Sequence, residues 1–404
     1  MSAGATATRE RTLVDRLPRG ARAVGFGGIA LGLLAFWVAL PPLATRSIIP
    51  SVAFGVAALA AAAWAIVHAQ RRLGWGALAA GVFGLAGGIL ATRSSVGHLD
   101  EVVVWSTLLA ATLRFATPLV FAAIGGMFAE RSGVTNIGLE GMMLMGAFFG
   151  ILAADRTDSW ALGIGAAALA GGALAFIHAF FSIHLRADQI VSGTAVNFLA
   201  VGITGYLFID LYGVDGTGQV PGIPDVRLPG IEDVYFIGPA IGQLNLMIWL
   251  ALVVLVASWI VMFRTPIGLR IRSVGEHPKA ADTVGISVYG IRYAAVTLSG
   301  MLAALGGAYL SIGFVHSFNQ NMTAGRGFIA LAALIFGKWK PFGAAAAALL
   351  FGFSSAVAQR LPTYSGSAAT LFQALPYILT LIAVAGVIGR SIPPAAIGRP
   401  YRKQ

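Results

Sequence analysis

The stretch FAERSGVTNIGLEG, from Phe128 to Gly141, sets Glu130, Arg131, Asn136 and Glu140 between two strongly apolar runs. An ionisable side chain in an apolar span is expensive unless it meets a partner or a water-filled cavity. Asn136 and Glu140 are four residues apart, so on a helix they share one face. Gly133, Gly138 and Gly141 permit bends and close approach of neighbouring backbones. Arg114, in LLAATLRFATPLVF beside Phe115, is the most conspicuous cation in a neighbouring apolar run. The spacing predicts a Glu140–Arg114 pair, either as a contact that ties two helices together or as part of a polar pathway.

Two further stretches carry polar groups of the same kind. RADQIVSGTAVNFLAVG leads from Arg186 and Asp188, read as interfacial anchors, into an apolar run that contains Asn197. An asparagine there is either helix-to-helix glue or a pathway residue. FVHSFNQNMTAGRG gathers His316, Phe318, Asn319, Gln320 and Asn321. Aromatic rings beside amides suit a planar polar ligand, because rings stack and amides bond the edges of a base. The alternative is an exposed polar loop tip. The candidate pathway set is therefore Arg114, Phe115, Asn136, Glu140, Asn197, Phe318, Asn319 and Asn321.

No covalent chemistry is legible. There is no G-x-x-x-x-G-K-S/T phosphate loop, no H-E-x-x-H and no G-x-S-x-G. Six histidines are scattered without metal-ligand spacing, and the absence of cysteine excludes disulfides and thiolate sites. No catalytic residue, metal or cofactor is expected on this chain.

The elements that must position these residues follow from composition. The 404 residues are 57% hydrophobic and only 11% charged, with a mean hydropathy of +0.82. A soluble chain carries about a quarter charged residues. The apolar residues come in runs of about 18 or more, the signature of membrane helices. The fold class expected is all-α, a polytopic membrane bundle of ten to twelve helices. Basic residues gather at the ends of the spans, so the net charge of +11 reads as the positive-inside bias and not as nucleic-acid binding.

Spans are expected near 24–44, 51–68 and 76–92, then 105–127, 137–154, 159–184, 190–212 and 236–263, and finally 294–314, 341–360 and 369–389. The segment 1–23 reads as a basic cytoplasmic tail followed by an uncleaved first helix, and 391–404 as a second basic cytoplasmic tail. The segment 213–235 is rich in Gly, Pro and Asp and belongs outside. The segment 264–293 holds Arg264, Arg270, Arg272, Lys279 and Arg292 and belongs inside. Between 314 and 341 lies GRGFIALAALIFGKWKP, whose apolar core of about 11 residues is too short to cross upright. It is expected to be a half-helix or a tilted short span.

Two interrupted regions correspond. Residues 119–150 and 301–337 each hold a helix, a Gly-Gly pair, a polar insert and a glycine-bounded apolar piece. Gly125-Gly126 aligns with Gly306-Gly307, Asn136 roughly with Asn321, and Gly150 with Gly337. Opposite directions for the two copies make this an inverted repeat, and broken hydrophobic segments at matching places point to a transport pathway.

Taken together and in order, ERSGVTNIGLEGMMLMGAFFG, RADQIVSGTAVNFLAVG and SVGEHPKAADTVGISV resemble the permease subunits of bacterial ABC importers. The resemblance is to the simple-sugar and nucleoside branch, with branched-chain amino acid permeases as more distant relatives. It covers about residues 105–390 and leaves 24–104 as additional helices. The resemblance implies a multi-pass protein of the bacterial cytoplasmic membrane. It implies partners as well: a separate ATPase subunit that holds ATP and magnesium, a second permease subunit (with a heterodimer favoured over a homodimer) and an extracytoplasmic solute-binding protein. It assigns Gly275, Glu276, His277, Pro278, Ala280, Ala281, Gly285 and Ile286 to a helix that docks on the ATPase. The residues agree with that role: Pro278 can open a short helix, Gly285 can close it, and small Ala280 and Ala281 allow close packing. ERSGVTNIGLEG resembles nucleoside-type permeases more than ribose-type ones, so a nucleoside is the expected cargo and a sugar the alternative. An ion-driven transporter using Glu140 and Arg114, or a non-transporting scaffold, are the competing classes.

Overall fold

The computed structural model describes residues 20–39, 47–68, 70–92, 105–213, 216–231, 233–234, 237–360 and 391–403. These form two units. The first takes in the described residues up to 92 together with 358–360. The second takes in 105–357 and 391–403.

In the first unit α1 (Ala21–Trp37), α2 (Ile48–Val67) and α3 (Arg71–Thr92) pack on one another. Their contact is made by small residues. A Cβ at Gly28 would stand 2.8 Å from that of Ala77. Close backbone approach of this kind replaces hydrophobic driving force where the surroundings are themselves apolar.

The second unit holds α4 (Trp105–Arg131), α5 (Leu139–Thr157), α6 (Trp160–Ala179) and α7 (Gln189–Tyr212), then α8 (Leu246–Arg264), α9 (Pro266–Glu276) and α10 (Pro278–Thr283). It continues with α11 (Val288–Ala308), α12 (Arg326–Phe336) and α13 (Pro341–Arg360), whose last three residues are counted with the first unit. α6 and α11 run on into wider-wound turns at Phe180–His184 and Tyr309–Val315. The largest apolar cluster lies where α4, α5 and α11 meet and is fed by Phe121, Ile124, Met127, Met142, Met143, Phe148 and Ile312.

Among the described residues, eight helices are long and apolar enough to cross a membrane. α5 has the length but carries Glu140, Asp155 and Arg156. α12 has 11 residues, a rise of about 16 Å against an apolar slab of about 30 Å, so it is a half-helix. The span expected at 369–389 and the start of the 1–23 tail lie outside the described residues. One boundary is corrected: the span expected from 236 begins at Leu246. Residues 243–245 instead form a short antiparallel strand pair with 225–227, and Asn245 caps the helix by accepting from the Met247 amide at 3.0 Å.

α4 and α11 cross antiparallel and touch at reciprocal places. A Cβ at Gly125 on α4 would lie 2.6 Å from the Ser299 carbonyl oxygen and 3.2 Å from Cβ of Leu302. A Cβ at Gly306 on α11 would lie 2.7 Å from the Pro118 carbonyl oxygen and 3.4 Å from Cβ of Phe121. Pro118 precedes Gly125 by the same interval as Ser299 precedes Gly306, and the same holds for Phe121 and Leu302. Each helix thus presses its glycine against matching places on the other, the reciprocal contact that an inverted repeat requires. Both 105–157 and 288–336 run from a long helix through a non-helical stretch into a second helix. One pairing from the sequence is corrected here. Asn136 stands three residues before α5, and Thr323, not Asn321, stands three residues before α12.

Candidate functional site

The stretch Ser132–Gly138 is non-helical and mostly buried. Backbone of this kind survives at membrane depth only where its polar groups find partners inside the protein. Side chains from α6, α7 and α11 supply them. Gln189 Oε1 accepts from the Thr135 amide at 2.7 Å. His178 Nε2 donates to the Thr135 carbonyl at 3.1 Å, which places a hydrogen on Nε2, while its Nδ1 faces Ser192 Oγ at 3.0 Å. Asn197 bridges the end of the stretch and the start of α5: Nδ2 donates to the Ile137 carbonyl at 3.1 Å, and Oδ1 accepts from the Gly141 amide at 2.8 Å. Asn136 donates to Ser299 Oγ at 2.9 Å and accepts from the Gly138 amide at 3.1 Å. Arg292, fully buried, donates from Nε to the Ser132 carbonyl at 3.2 Å.

Glu140 and Gly327 are each the second residue of their helices, α5 and α12, and they touch. Here two helix N-termini, both carrying partial positive charge, converge. The Glu140 carboxylate serves both ends. It belongs to the first turn of α5, and it accepts from Thr323 Oγ1 at 2.6 Å, from the Gly325 amide at 2.8 Å and from the Gly327 amide at 2.6 Å. This corrects the expected Glu140–Arg114 pair. Both Glu140 oxygens are occupied by the opposing half-helix, and Arg114 is exposed on α4. Backbone amides of a half-helix are stronger partners here than a distant side chain, because their donors are already fixed in direction.

The candidate pathway residues separate into two groups. Asn136, Glu140, Asn197 and Phe318 are buried. Phe318 sits between the rings of Phe148 and Phe208, at 5.1 and 5.4 Å, and its amide donates to Thr217 Oγ1 at 2.7 Å. Arg114, Asn319 and Asn321 are exposed, and Phe115 is half-buried with its ring 5.7 Å from that of Phe314. The first group holds backbone in place; the second is free to meet a ligand or a neighbouring chain.

At the other end of the unit, the segment 264–293 folds into two short helices. Pro278 opens α10, and Gly285 adopts a φ of +81° after it, where a left-handed residue ends the turn. Gly275 packs on the Arg131 carbonyl so closely that no side chain fits. Ala281 is buried against Val274, Val288 and Tyr401. Glu276, His277, Lys279, Ala280 and Gly285 are exposed, and Pro278 and Ile286 are half-buried.

Sequence reasoning passed over several residues. Gln189, His178, Ser299 and Thr323 are ordinary in type, though a lone histidine in the apolar run of α6 was a signal. Trp339 was also missed: its Nε1 donates to Glu130 Oε2 at 2.5 Å, and Arg131 Nε returns a bond to the Trp339 carbonyl at 3.0 Å. This closes α12 onto the end of α4.

Residues 108–384 match the family model described as the branched-chain amino acid transport system permease component. The chain is 43% identical over 317 residues, 76% of its own length and 99% of the relative's, to the guanosine ABC transporter permease protein NupQ of Bacillus subtilis. It is 40% identical over 314 residues to the nucleoside ABC transporter permease protein NupC of Lactococcus lactis, covering 73% of this chain and 96% of that one. A putative glucose ABC transporter permease protein of Haloferax volcanii is 36% identical over 266 residues, 64% of this chain and 78% of that one. No solved structure matches. With eight membrane-length helices among the described residues and a match over most of its length, the chain is a multi-pass membrane protein and belongs to the family of ABC transporter permease components.

Proposed function

We propose that this chain is the membrane-spanning subunit of an ATP-driven importer that carries a purine nucleoside. The observation that carries this reading is the 43% identity spread over 99% of a guanosine permease. A separate ATPase subunit binds ATP with magnesium and hydrolyses it, and this chain holds no cofactor of its own. An extracytoplasmic solute-binding protein delivers the ligand, and a second, unlike permease subunit completes the pathway.

The exposed Asn319 and Asn321, with Arg114 and half-buried Phe115, form the ligand-facing set. Amides there bond the edges of a base and the ribose hydroxyls, and the aromatic ring offers a stacking face. Asn136, Glu140, Asn197 and Phe318 keep that surface in shape from behind. Gly275, Glu276, His277, Pro278, Ala280, Ala281, Gly285 and Ile286 form the ATPase contact, with the small, exposed Ala280 at its centre. For ATP to drive uptake, the ligand must bind the outward and inward states unequally.

A sugar is the second reading, and the glucose-type relative from Haloferax volcanii is the observation in its favour. Uptake of labelled guanosine into vesicles holding the full complex separates the two. Saturable, ATP-dependent guanosine uptake that excess adenosine reduces and excess ribose does not is the expected result. Uptake of glucose, ribose or galactose that no nucleoside competes with overturns it.

A further inference from the structure

The segment 391–403 is absorbed by neither the pathway nor the docking helix, yet it makes specific bonds to four parts of the second unit. At its start, Ser391 Oγ donates to the Ile335 carbonyl, near the end of α12, at 2.9 Å. The Ala395 amide donates to Glu276 Oε2 at 3.1 Å, and the Ala396 amide to the Gly275 carbonyl at 2.9 Å. Arg292 Nη1 donates to the Arg399 carbonyl at 3.2 Å while its Nε holds Ser132. At the far end Tyr401 is buried, with its ring in the Val274, Ala281 and Val288 cluster and its hydroxyl donating to Asp282 Oδ2 at 2.8 Å.

Asp282 lies on α10, and Ser132 opens the non-helical stretch that leads to the Glu140 junction. The tail is therefore bonded at one end to the helix read as the ATPase contact. Through Arg292 it is joined to the backbone of the broken region. Burial of Tyr401 and its bond to Asp282 push the hydroxyl up to about 12, so it remains a donor throughout the physiological range.

We propose that residues 391–403 are a transmission strap: Tyr401 is a positioning residue that fixes α10 to the strap, and Arg292 passes displacement of the strap to Ser132 and the re-entrant stretch. This rests on the reading of α10 as the ATPase contact. Movement imposed on α10 by an ATPase then reaches the 132–138 backbone by two routes, directly through Gly275 against Arg131 and through the strap.

The test uses the full chain in its complex with the ATPase subunit, reconstituted in liposomes, with guanosine as the transported probe. Tyr401→Phe keeps the ring in its cluster and removes only the bond to Asp282. ATP hydrolysed per guanosine imported is expected to rise about fivefold, the effect of one ordinary hydrogen bond on a two-state balance. The ATPase still copurifies at the wild-type level. Asp282→Asn, which still accepts from the hydroxyl, is expected to stay within about twofold of wild type, and Asp282→Ala to behave like Tyr401→Phe. Deletion of 391–404 is expected to abolish uptake while ATP hydrolysis persists. An unchanged ratio in both Tyr401→Phe and Asp282→Ala overturns the proposal. So does a deletion that lowers the amount of complex but leaves its ratio untouched. A wild-type chain that brings down no ATPase overturns the underlying reading instead, and is seen before any variant is made.

Discussion

The two broken stretches, 132–138 and 316–325, occupy equivalent places in the two halves and are built differently. The first is seven residues long and mostly buried. Its backbone at Ser132, Thr135 and Ile137 is bonded to side chains from other helices, and the Asn136 side chain to Ser299. The second is longer and open. Asn319, Gln320 and Asn321 are exposed, and His316, Asn321, Ala324 and Gly325 all take positive φ. Its anchors are Thr217 at Phe318, the Val220 amide at the His316 carbonyl, Glu140 at Thr323 and Gly325, and Arg326 at the Met322 and Thr323 carbonyls. One plan of helix, non-helical stretch and helix is thus filled by side chains in two ways. The buried stretch lies beside Gly275, near the end of α9. The open stretch displays amides that can exchange water for a ligand.

The largest effect is expected at Glu140, where one carboxylate serves the N-termini of both α5 and α12. Glu140→Ala orphans two buried amides and a hydroxyl, at roughly 1.5–3 kcal/mol for each charge-assisted bond before relaxation. The outcome expected is loss of a folded, monodisperse peak in detergent size-exclusion chromatography. Glu140→Gln keeps one carbonyl oxygen and should yield folded protein with a clearly lowered melting temperature. If both variants match wild type, the junction holds nothing together.

Asn197→Ala comes next. It removes two bonds that join 132–138 to α5 and is expected to cost about 2–3 kcal/mol, read as a lowered thermal midpoint. Asn197→Asp, which keeps only the acceptor, should cost less than Ala if the Gly141 bond dominates. Gly125→Val and Gly306→Val test the symmetry itself. Each drives a branched side chain into a carbonyl of the opposite half, so the two should be destabilising by similar amounts, about 2 kcal/mol or more. A large difference between them would break the two-fold account.

Much of this was legible beforehand, for reasons that lie in particular residues. The apolar runs dictated where helices lie, and the paired glycines at 125–126 and 306–307 betrayed the close contacts that only glycine allows. Pro278 and Gly285 bracketed α10. What the sequence hid were partners without side chains. Glu140 was paired on paper with Arg114 because a cation is visible in a sequence, whereas the amides of Gly325 and Gly327 are not. The start of α8 was misplaced because the apolar run begins before Asn245, the residue that caps the helix. The bonds from 391–403 to Gly275, Asp282 and Arg292 join segments more than a hundred residues apart, and no periodicity records them.

The smallest structural effect is expected in the open stretch. Asn319→Ala and Asn321→Gly, the second chosen because position 321 has a φ of +55°, remove exposed side chains and should leave the melting temperature within about 1 °C. They should raise the guanosine concentration needed for half-maximal uptake several-fold. Stability loss without an uptake change would place these residues with the first stretch and not opposite it.

The contrast between the two stretches requires that they open to opposite faces of the membrane, and the cysteine-free chain makes this directly measurable. Single substitutions Asn319→Cys and Lys279→Cys are exposed in turn to a membrane-impermeant maleimide on sealed, intact cells. The account predicts labelling at position 319 from outside and at 279 only after the cells are opened. Labelling at position 279 in intact cells, with 319 protected, would contradict it.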